Sequence, residues 1–375
     1  MAVVRSRRAT AQVDLGAVEH NVQRLREVAG VPVMVVVKAD GYGHGAVPVA
    51  LAAKNAGAEW LGVAYIDEAL ELRAAGVPGR ILAWLLAEDD HLEDALDQDI
   101  DLSVACEAQL LLVSEAARER GLRARVHIEV DTGLSRAGVA PAKWHLVFAE
   151  AARLTAHLEV VSVWSHLACA DEPNHPANAA QVASYEQALA VAAEVGVHPQ
   201  IRHLGNSAAA LSNPAARYDL VRCGIATYGV APGGDLGDAA ALGLRPAMTL
   251  KARVAQVRRL NAGDQVSYSF RWTADKDTTV ALIPLGYADG IPRAATNRGQ
   301  VYFKGEAFPI VGTVCMDQFV VDFGDVEVHP DDEVVVFGEG ALPAHAWAEL
   351  GGTIGYELTT RLGARVEREY TDGVR

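Results

Sequence analysis

Residues 33–37 are Val-Met-Val-Val-Val, and Lys38 follows directly, ahead of glycines at 41, 43 and 45. A continuous apolar run of this kind suits a parallel strand buried on both faces. An ammonium at the end of such a strand is costly unless paired or neutral. Desolvation lowers a lysine's pKa toward the neutral amine that forms Schiff bases. On composition alone, a lysine whose stem lies along the strand end while its charge reaches water is the simpler account. Further along stand Asp131-Thr-Gly-Leu-Ser-Arg136, His166, Asn206-Ser207, Arg222 and Tyr268. Each has an ordinary reading: a turn, a surface charge, a core histidine, a helix cap, a tyrosine packed on a sheet.

The elements that would position these groups have a rhythm. A short strand at 11–15 leads to a helix at 17–29, which Asp14 can cap and Gly30 and Pro32 stop. After 33–37, apolar runs recur at 60–64, 81–86, 100–104, 126–130, 158–164, 201–204 and 220–223. Helical stretches such as 47–56, 107–120 and 179–195 lie between them. Eight strands mostly alternating with helices fit a (β/α)8 barrel, whose site lies at the C-terminal strand ends. A doubly wound open sheet is the runner-up, weakened because no G-x-G-x-x-G follows an early strand. The stretch 231–238, Ala-Pro-Gly-Gly-Asp-Leu-Gly-Asp, reads as a linker or surface loop. Short runs then follow at 249–257, 264–269, 278–284, 300–303, 308–311, 319–323 and 333–337, a β region. A helix near 344–350 and a strand near 365–370 end the chain. The expected architecture is α/β: a barrel domain over 12–235 and a mainly β domain from 1–11 and 236–375.

With 375 residues, two domains are expected, and a charge of −15 argues against nucleic acid or an anionic membrane as partner. Cys106, Cys169, Cys223 and Cys315 have no metal-ligand spacing, so no metal is expected and a reduced, cytoplasmic protein is the simplest account. The basic start, Met-Ala-Val-Val-Arg-Ser-Arg-Arg, is followed by no apolar signal segment, and no run is long enough to span a bilayer.

The run Val-Val-Lys38-Ala-Asp-Gly-Tyr42-Gly-His-Gly closely resembles the signature of alanine racemases, enzymes dependent on pyridoxal 5'-phosphate (PLP). The other motifs match that family in order, from Gln12-Val-Asp-Leu to Gly355-Tyr-Glu-Leu. The resemblance implies a catalytic pair, Lys38 and Tyr268, with His166, Arg222 and Arg136 in support. It assigns the cofactor to Lys38, Tyr42, Leu85, Arg136, His166, Asn206, Ser207, Arg222, Gly224, Ile225 and Tyr356. Arg136, Met316 and Asp317 would bind substrate, and Tyr287, Arg293, Ile354, Tyr356 and Asp171 would line a channel.

PLP is an electron sink that acidifies the Cα proton of an amino acid bound as an imine. Arg222 in place of the usual carboxylate at the ring nitrogen would leave that nitrogen unprotonated, since arginine only donates. Racemisation then needs a base on each face of Cα. A tyrosine, with an ordinary pKa of about 10, needs a nearby cation or donor to serve as one. The family supplies this tyrosine, and Met316 and Asp317, from the other subunit of a homodimer, and makes D-alanine for peptidoglycan. Where many members carry a carbamylated lysine, this chain has Glu129, expected to brace Arg136 by its own charge. A broad-specificity or serine racemase of the same fold is the alternative. A PLP-binding regulatory protein is disfavoured by the β region, and a basic amino acid decarboxylase by the absence of its cysteine and acidic motifs.

Overall fold

A computed structural model describes residues 8–372. The basic start at 1–7 and the last residues of the expected β domain, 373–375, lie outside the described residues.

The first strand, β1 (Ala9–Asp14), runs into a helix, Leu15–Ala29, whose first turn is capped by the Asp14 side chain accepting from Ala17 N at 2.9 Å. Eight parallel strands follow: β2 (Val33–Val36), β3 (Trp60–Val63), β4 (Arg80–Ala83), β5 (Asp101–Val104), β6 (Ala124–Glu129), β7 (Leu158–Trp164), β8 (Ile201–His203) and β9 (Val221–Cys223). They pair in sequence order from β2 to β8, and β9 returns beside β2. The gap between β8 and β9 is bridged by Arg222 N donating to Gly205 O at 2.9 Å. This is a nearly closed barrel with helices outside. Continuous apolar runs built it because both strand faces are covered: β2, β3 and β5 are buried at every position. Met34, Trp60, Leu82, Val161 and Leu220 form a small apolar cluster of their own in the lumen, apart from the core between strands and helices.

The second domain is mainly β. Its nine-stranded sheet includes β1, which pairs antiparallel with Met248–Arg253 and parallel with Glu367–Thr371. Two expectations are corrected here. The run at 249–257 is two strands, Met248–Arg253 and Gln256–Leu260, because Val254 and Ala255 donate to different neighbours, Asp332 O and Leu282 O. The run at 264–269 is strand only at Gln265–Val266. Beyond it, Ser267, Ser269 and Phe270 have φ of 65°, 61° and 45°, so the chain makes a tight turn with Tyr268 on it. The stretch at 231–238 is a connection, but not a simple linker: Ala231 and Pro232 are buried, and Asp235 N donates to Asp171 O at 3.0 Å.

Candidate active site at the barrel mouth

Lys38 lies two residues past the end of β2 and enters a turn in which Ala39, Asp40, Gly41 and Tyr42 all have positive φ, 52–60°. Each non-glycine residue there costs about 1–2 kcal/mol in isolation, so tertiary contacts must hold it. Glu68 Oε1 accepts from Ala39 N at 2.6 Å, Asp40 Oδ1 accepts from Ala46 N at 2.9 Å, and the Tyr228 hydroxyl donates to Val36 O at 2.9 Å. Gly43, at φ 80°, completes the turn where a Cβ would strike the Thr359 carbonyl. The result aims Lys38 and Tyr42 into one cavity of about 1090 Å³ at the C-terminal ends of the strands. Burial, and then the charge of Arg136, hold the Lys38 pKa below its ordinary value against a smaller opposing effect of Glu68.

Arg136, His166, Asn206, Ser207, Arg222, Gly224 and Ile225 line the same cavity. So do Asp171, Ile354 and Tyr356. The Asp131 carboxylate closes its turn by accepting from Gly133 N and Ser135 N, at 2.9 and 3.0 Å, and leaves Arg136 exposed on the rim. Thr132 and Ser165 hydroxyls bond at 2.9 Å, joining that turn to the His166 strand end. Arg222 is buried and spends its guanidinium on His166 Nδ1 at 3.1 Å, His203 Nδ1 at 3.0 Å and the Ser165, His203 and Leu204 carbonyls. Burial lowers its pKa to about 10, leaving it charged at neutral pH. Burial and the charges of Arg222, Arg136 and Lys38 hold His166 well below its ordinary pKa, so its ring is neutral.

At the other wall, Asn206 caps the helix Ser207–Ser212, and Ser207 Oγ accepts from Gly224 N at 2.9 Å. The Tyr42 ring lies 4.9 Å from that of Tyr228 and 6.3 Å from that of Tyr356. A Cβ on Gly224 would overlap the Tyr42 hydroxyl, so glycine leaves this wall open to a ligand. Hydroxyls and backbone N–H groups, a buried guanidinium and a low-pKa amine on the walls of one cavity suit a flat anion carrying a phosphate and an aldehyde.

Several expected residues lie elsewhere. Leu85 is 47% exposed and does not line the cavity; its neighbour Trp84 does, with Lys38 Nζ 5.6 Å from its ring. Tyr268, Tyr287, Arg293, Met316 and Asp317 are exposed on the β domain, and none lines the cavity of its own chain. Thr313 Oγ1 donates to Tyr268 O, Tyr287 N to Cys315 O and Ala288 N to Met316 O, which joins three of them into one surface. The expected brace is corrected: among the described residues no ion pair joins Glu129 to Arg136. Glu129 is buried at the end of β6, whereas Arg136 stands on the exposed turn. Burial pushes the Glu129 carboxyl up to about 7, against the lowering charges of Arg222 and Arg136.

Not foreseen were Trp84, Trp164, His203, His127, Asp101 and Glu68. Trp164 stacks on His203 at 5.6 Å and carries the Arg222 guanidinium 4.7 Å from its ring. A signal existed: polar residues two apart within apolar strands, as at Asp101 and Ser103 or His127 and Glu129, share one face of a strand.

The family description "Alanine racemase, N-terminal domain" matches residues 13–232, and "Alanine racemase, C-terminal domain" matches 247–370. The alanine racemase of Thermobifida fusca is 51% identical, covering 98% of this chain and 99% of that protein. That of Frankia casuarinae is 49% identical, covering 97% and 96%. Among solved structures, the alanine racemase from D-cycloserine producing Streptomyces lavendulae superposes with a TM-score of 0.97 at 46% identity, over 99% of this chain and 98% of that one. The alanine racemase from Bartonella henselae with covalently bound pyridoxal phosphate gives 0.87 at 30% identity, over 97% and 99%. The chain belongs to the alanine racemase family.

Proposed function

We propose that this protein binds PLP through Lys38 and interconverts L-alanine and D-alanine, supplying D-alanine for peptidoglycan in the cytoplasm. The observation that carries the reading is the convergence of Lys38, Arg222, His166 and the Tyr42–Ser207–Gly224 wall, from four strand ends, on one cavity. Bound PLP supplies an electron sink that acidifies the substrate Cα–H.

The chain's own groups do the rest. Tyr42, Ser207, Tyr356 and the amides of Gly224 and Ile225 would hold the phosphate. Arg222 would donate to the ring nitrogen, and its fixed positive charge would keep that nitrogen from gaining a proton. Arg136, on the rim, binds the substrate carboxylate. Lys38 moves a proton at one face of Cα, helped by its lowered pKa.

The opposite face needs a second base, and we assign it to Tyr268 of the partner subunit. Within one chain Tyr268 is 71% exposed, as are Phe270 at 63% and Met316 at 53%. An apolar surface of that kind favours a partner. The barrel at 12–235 would hold the cofactor, while 1–11 and 236–375 complete the partner's site. Among the described residues no helix is long and apolar enough to cross a membrane.

The test is Cα-proton exchange in deuterated buffer with L-alanine, L-serine and L-arginine. Racemisation with deuterium uptake for alanine alone, abolished by Lys38→Ala, is expected. Exchange with all three would replace the substrate assignment by a broad-specificity racemase. None in PLP-loaded protein would overturn the reading.

A further inference from the structure

A chain of hydrogen bonds runs through the barrel lumen from the cavity to the opposite end. Arg222 Nη1 meets His203 Nδ1 at 3.0 Å, His203 Nε2 meets His127 Nδ1 at 3.1 Å, and His127 Nε2 meets Asp101 Oδ2 at 3.0 Å. Asp101 opens β5, at the N-terminal ends of the strands, so the chain crosses the lumen. Asp101, His127 and His203 are wholly buried and Arg222 nearly so. Beyond its bond from His127, Asp101 receives Arg80 Nη2 at 2.5 Å and Arg125 Nε at 2.6 Å.

The donors in this chain can face only one way. Arginine has no acceptor, so Arg222 donates and His203 Nδ1 must be bare. His203 then carries its proton on Nε2 and donates to His127 Nδ1. His127 in turn carries its proton on Nε2 and donates to the Asp101 carboxylate, which is acceptor-only. Both rings are neutral. Burial holds His203 well below its ordinary pKa, helped by Arg222 and His127, and burial lowers His127 despite the neighbouring Asp101. Burial alone would raise Asp101, but bonds from His127 and Arg80 and the charges around it outweigh that and keep it ionised. The second branch obeys the same rule: Arg222 Nη2 donates to His166 Nδ1, which leaves the His166 proton on Nε2.

We propose that Asp101 is a positioning residue for Arg222, acting across the barrel through His127 and His203 by fixing the tautomer of each ring. A buried network is favourable only when every member is satisfied, and this one is satisfied only while its far end accepts. Reversing that end sets an N–H of His203 against the N–H of Arg222. The guanidinium is then pushed from the place where, on the reading above, it meets the cofactor ring. The inference rests on that reading for the role of Arg222, but not for the tautomers.

The variant Asp101→Asn reverses the far end with little change of shape. Two arginine donors meet Oδ1 and one meets Oδ2. The amide oxygen therefore takes the Oδ1 place and the NH2 group faces His127 Nε2. The experiment is two-bond 1H–15N NMR of 15N-histidine-labelled protein, apo and PLP-loaded, with a parallel PLP titration of the apoprotein.

In the unsubstituted protein His127 and His203 should both appear as Nε2–H tautomers. In Asp101→Asn both should move to Nδ1–H, and the PLP Kd should rise about tenfold, of the order of one hydrogen bond to a charged group. Arg80→Met removes an ion pair from Asp101 without touching the chain, so it should lower thermal stability and leave both tautomers in place. A His203 Nδ1–H in the unsubstituted protein overturns the proposal, and so do unmoved tautomers in Asp101→Asn. If Asp101→Asn does not fold, His127→Phe cuts the chain instead. Arg222 still holds His203 as the Nε2–H tautomer there, so the readout is the PLP Kd: a rise supports the proposal, and an unchanged Kd overturns it. Failure of the unsubstituted protein to bind PLP at all would strike the functional reading and leave the tautomer result standing.

Discussion

The Glu68 carboxylate bonds to the backbone N–H of Ala39, the residue after Lys38, at 2.6 Å, while its other oxygen receives Ala64 N and Tyr65 N at 2.8 and 3.1 Å. One side chain thus caps the helix Ile66–Ala74 and holds the left-handed turn that aims the lysine. Glu68→Ala leaves three backbone donors without this acceptor. The expected loss is about 1–3 kcal/mol, since bonds to a charged acceptor exceed neutral ones. Chemical denaturation of the apoprotein measures it. A midpoint shift within error of zero would mean that the turn is held by Asp40 and Tyr228 alone.

Glu129 should make stability depend on pH. Its folded pKa, about 7, lies above the ordinary 4.5 because burial disfavours the charge. The folded state therefore prefers the protonated form. The associated stability is fully present below about 4.5 and is lost as pH rises through about 7, to a total of about 3 kcal/mol. Glu129→Gln keeps the shape and removes the titration, so the cofactor-free variant should match the unsubstituted protein at pH 4.5 and exceed it at pH 8. Melting curves at the two pH values check this. An equal difference at both would place Glu129 in a more solvated setting than its burial indicates.

Gly224→Ala should weaken PLP binding by steric means. The added methyl would occupy the space of the Tyr42 hydroxyl, and that ring is backed by Tyr228 at 4.9 Å. Overpacking of this kind costs about 1–3 kcal/mol. Tyr42→Phe removes the clashing atom, so the Kd of the double variant should fall short of the sum of the two single effects. Strict additivity in a fluorescence titration would contradict the contact.

The barrel was legible because its strands are covered on both sides and so leave unbroken apolar runs. Leu158–Trp164 and the helix Glu107–Arg120 coincide with their expected bounds. Turns held by distant contacts were not legible. Nothing local in Lys38-Ala-Asp-Gly-Tyr42 announces four left-handed residues, which depend on Glu68 and Tyr228. The helix Gly355–Thr360, six residues long, is too short for a period to emerge. The Glu129–Arg136 brace failed for a geometric reason. Strand alternation sends Glu129 into the lumen, and the seven residues to Arg136 then pass through an Asx turn to the surface. Most of the candidate site's residue types were visible, but which side chains share a cavity was settled by the closure of β9 on β2.

Within one chain the two proposed bases lie apart: Lys38 lines the cavity, and Tyr268 sits 71% exposed on a turn of the β domain. If the second base comes from the partner subunit, each site of a dimer uses Lys38 from one chain and Tyr268 from the other. Lys38→Ala and Tyr268→Phe homodimers should then both be inactive. Mixing them yields heterodimers with one site carrying both substitutions and one carrying neither. Those heterodimers should regain about half the unsubstituted activity per dimer, since one of two independent sites is whole. Differently tagged chains, purified by both tags, allow that measurement. A verified heterodimer with no activity would mean that Lys38 and Tyr268 of the same chain must cooperate, which would require the hairpin at Gln265–Val266 to move onto its own barrel.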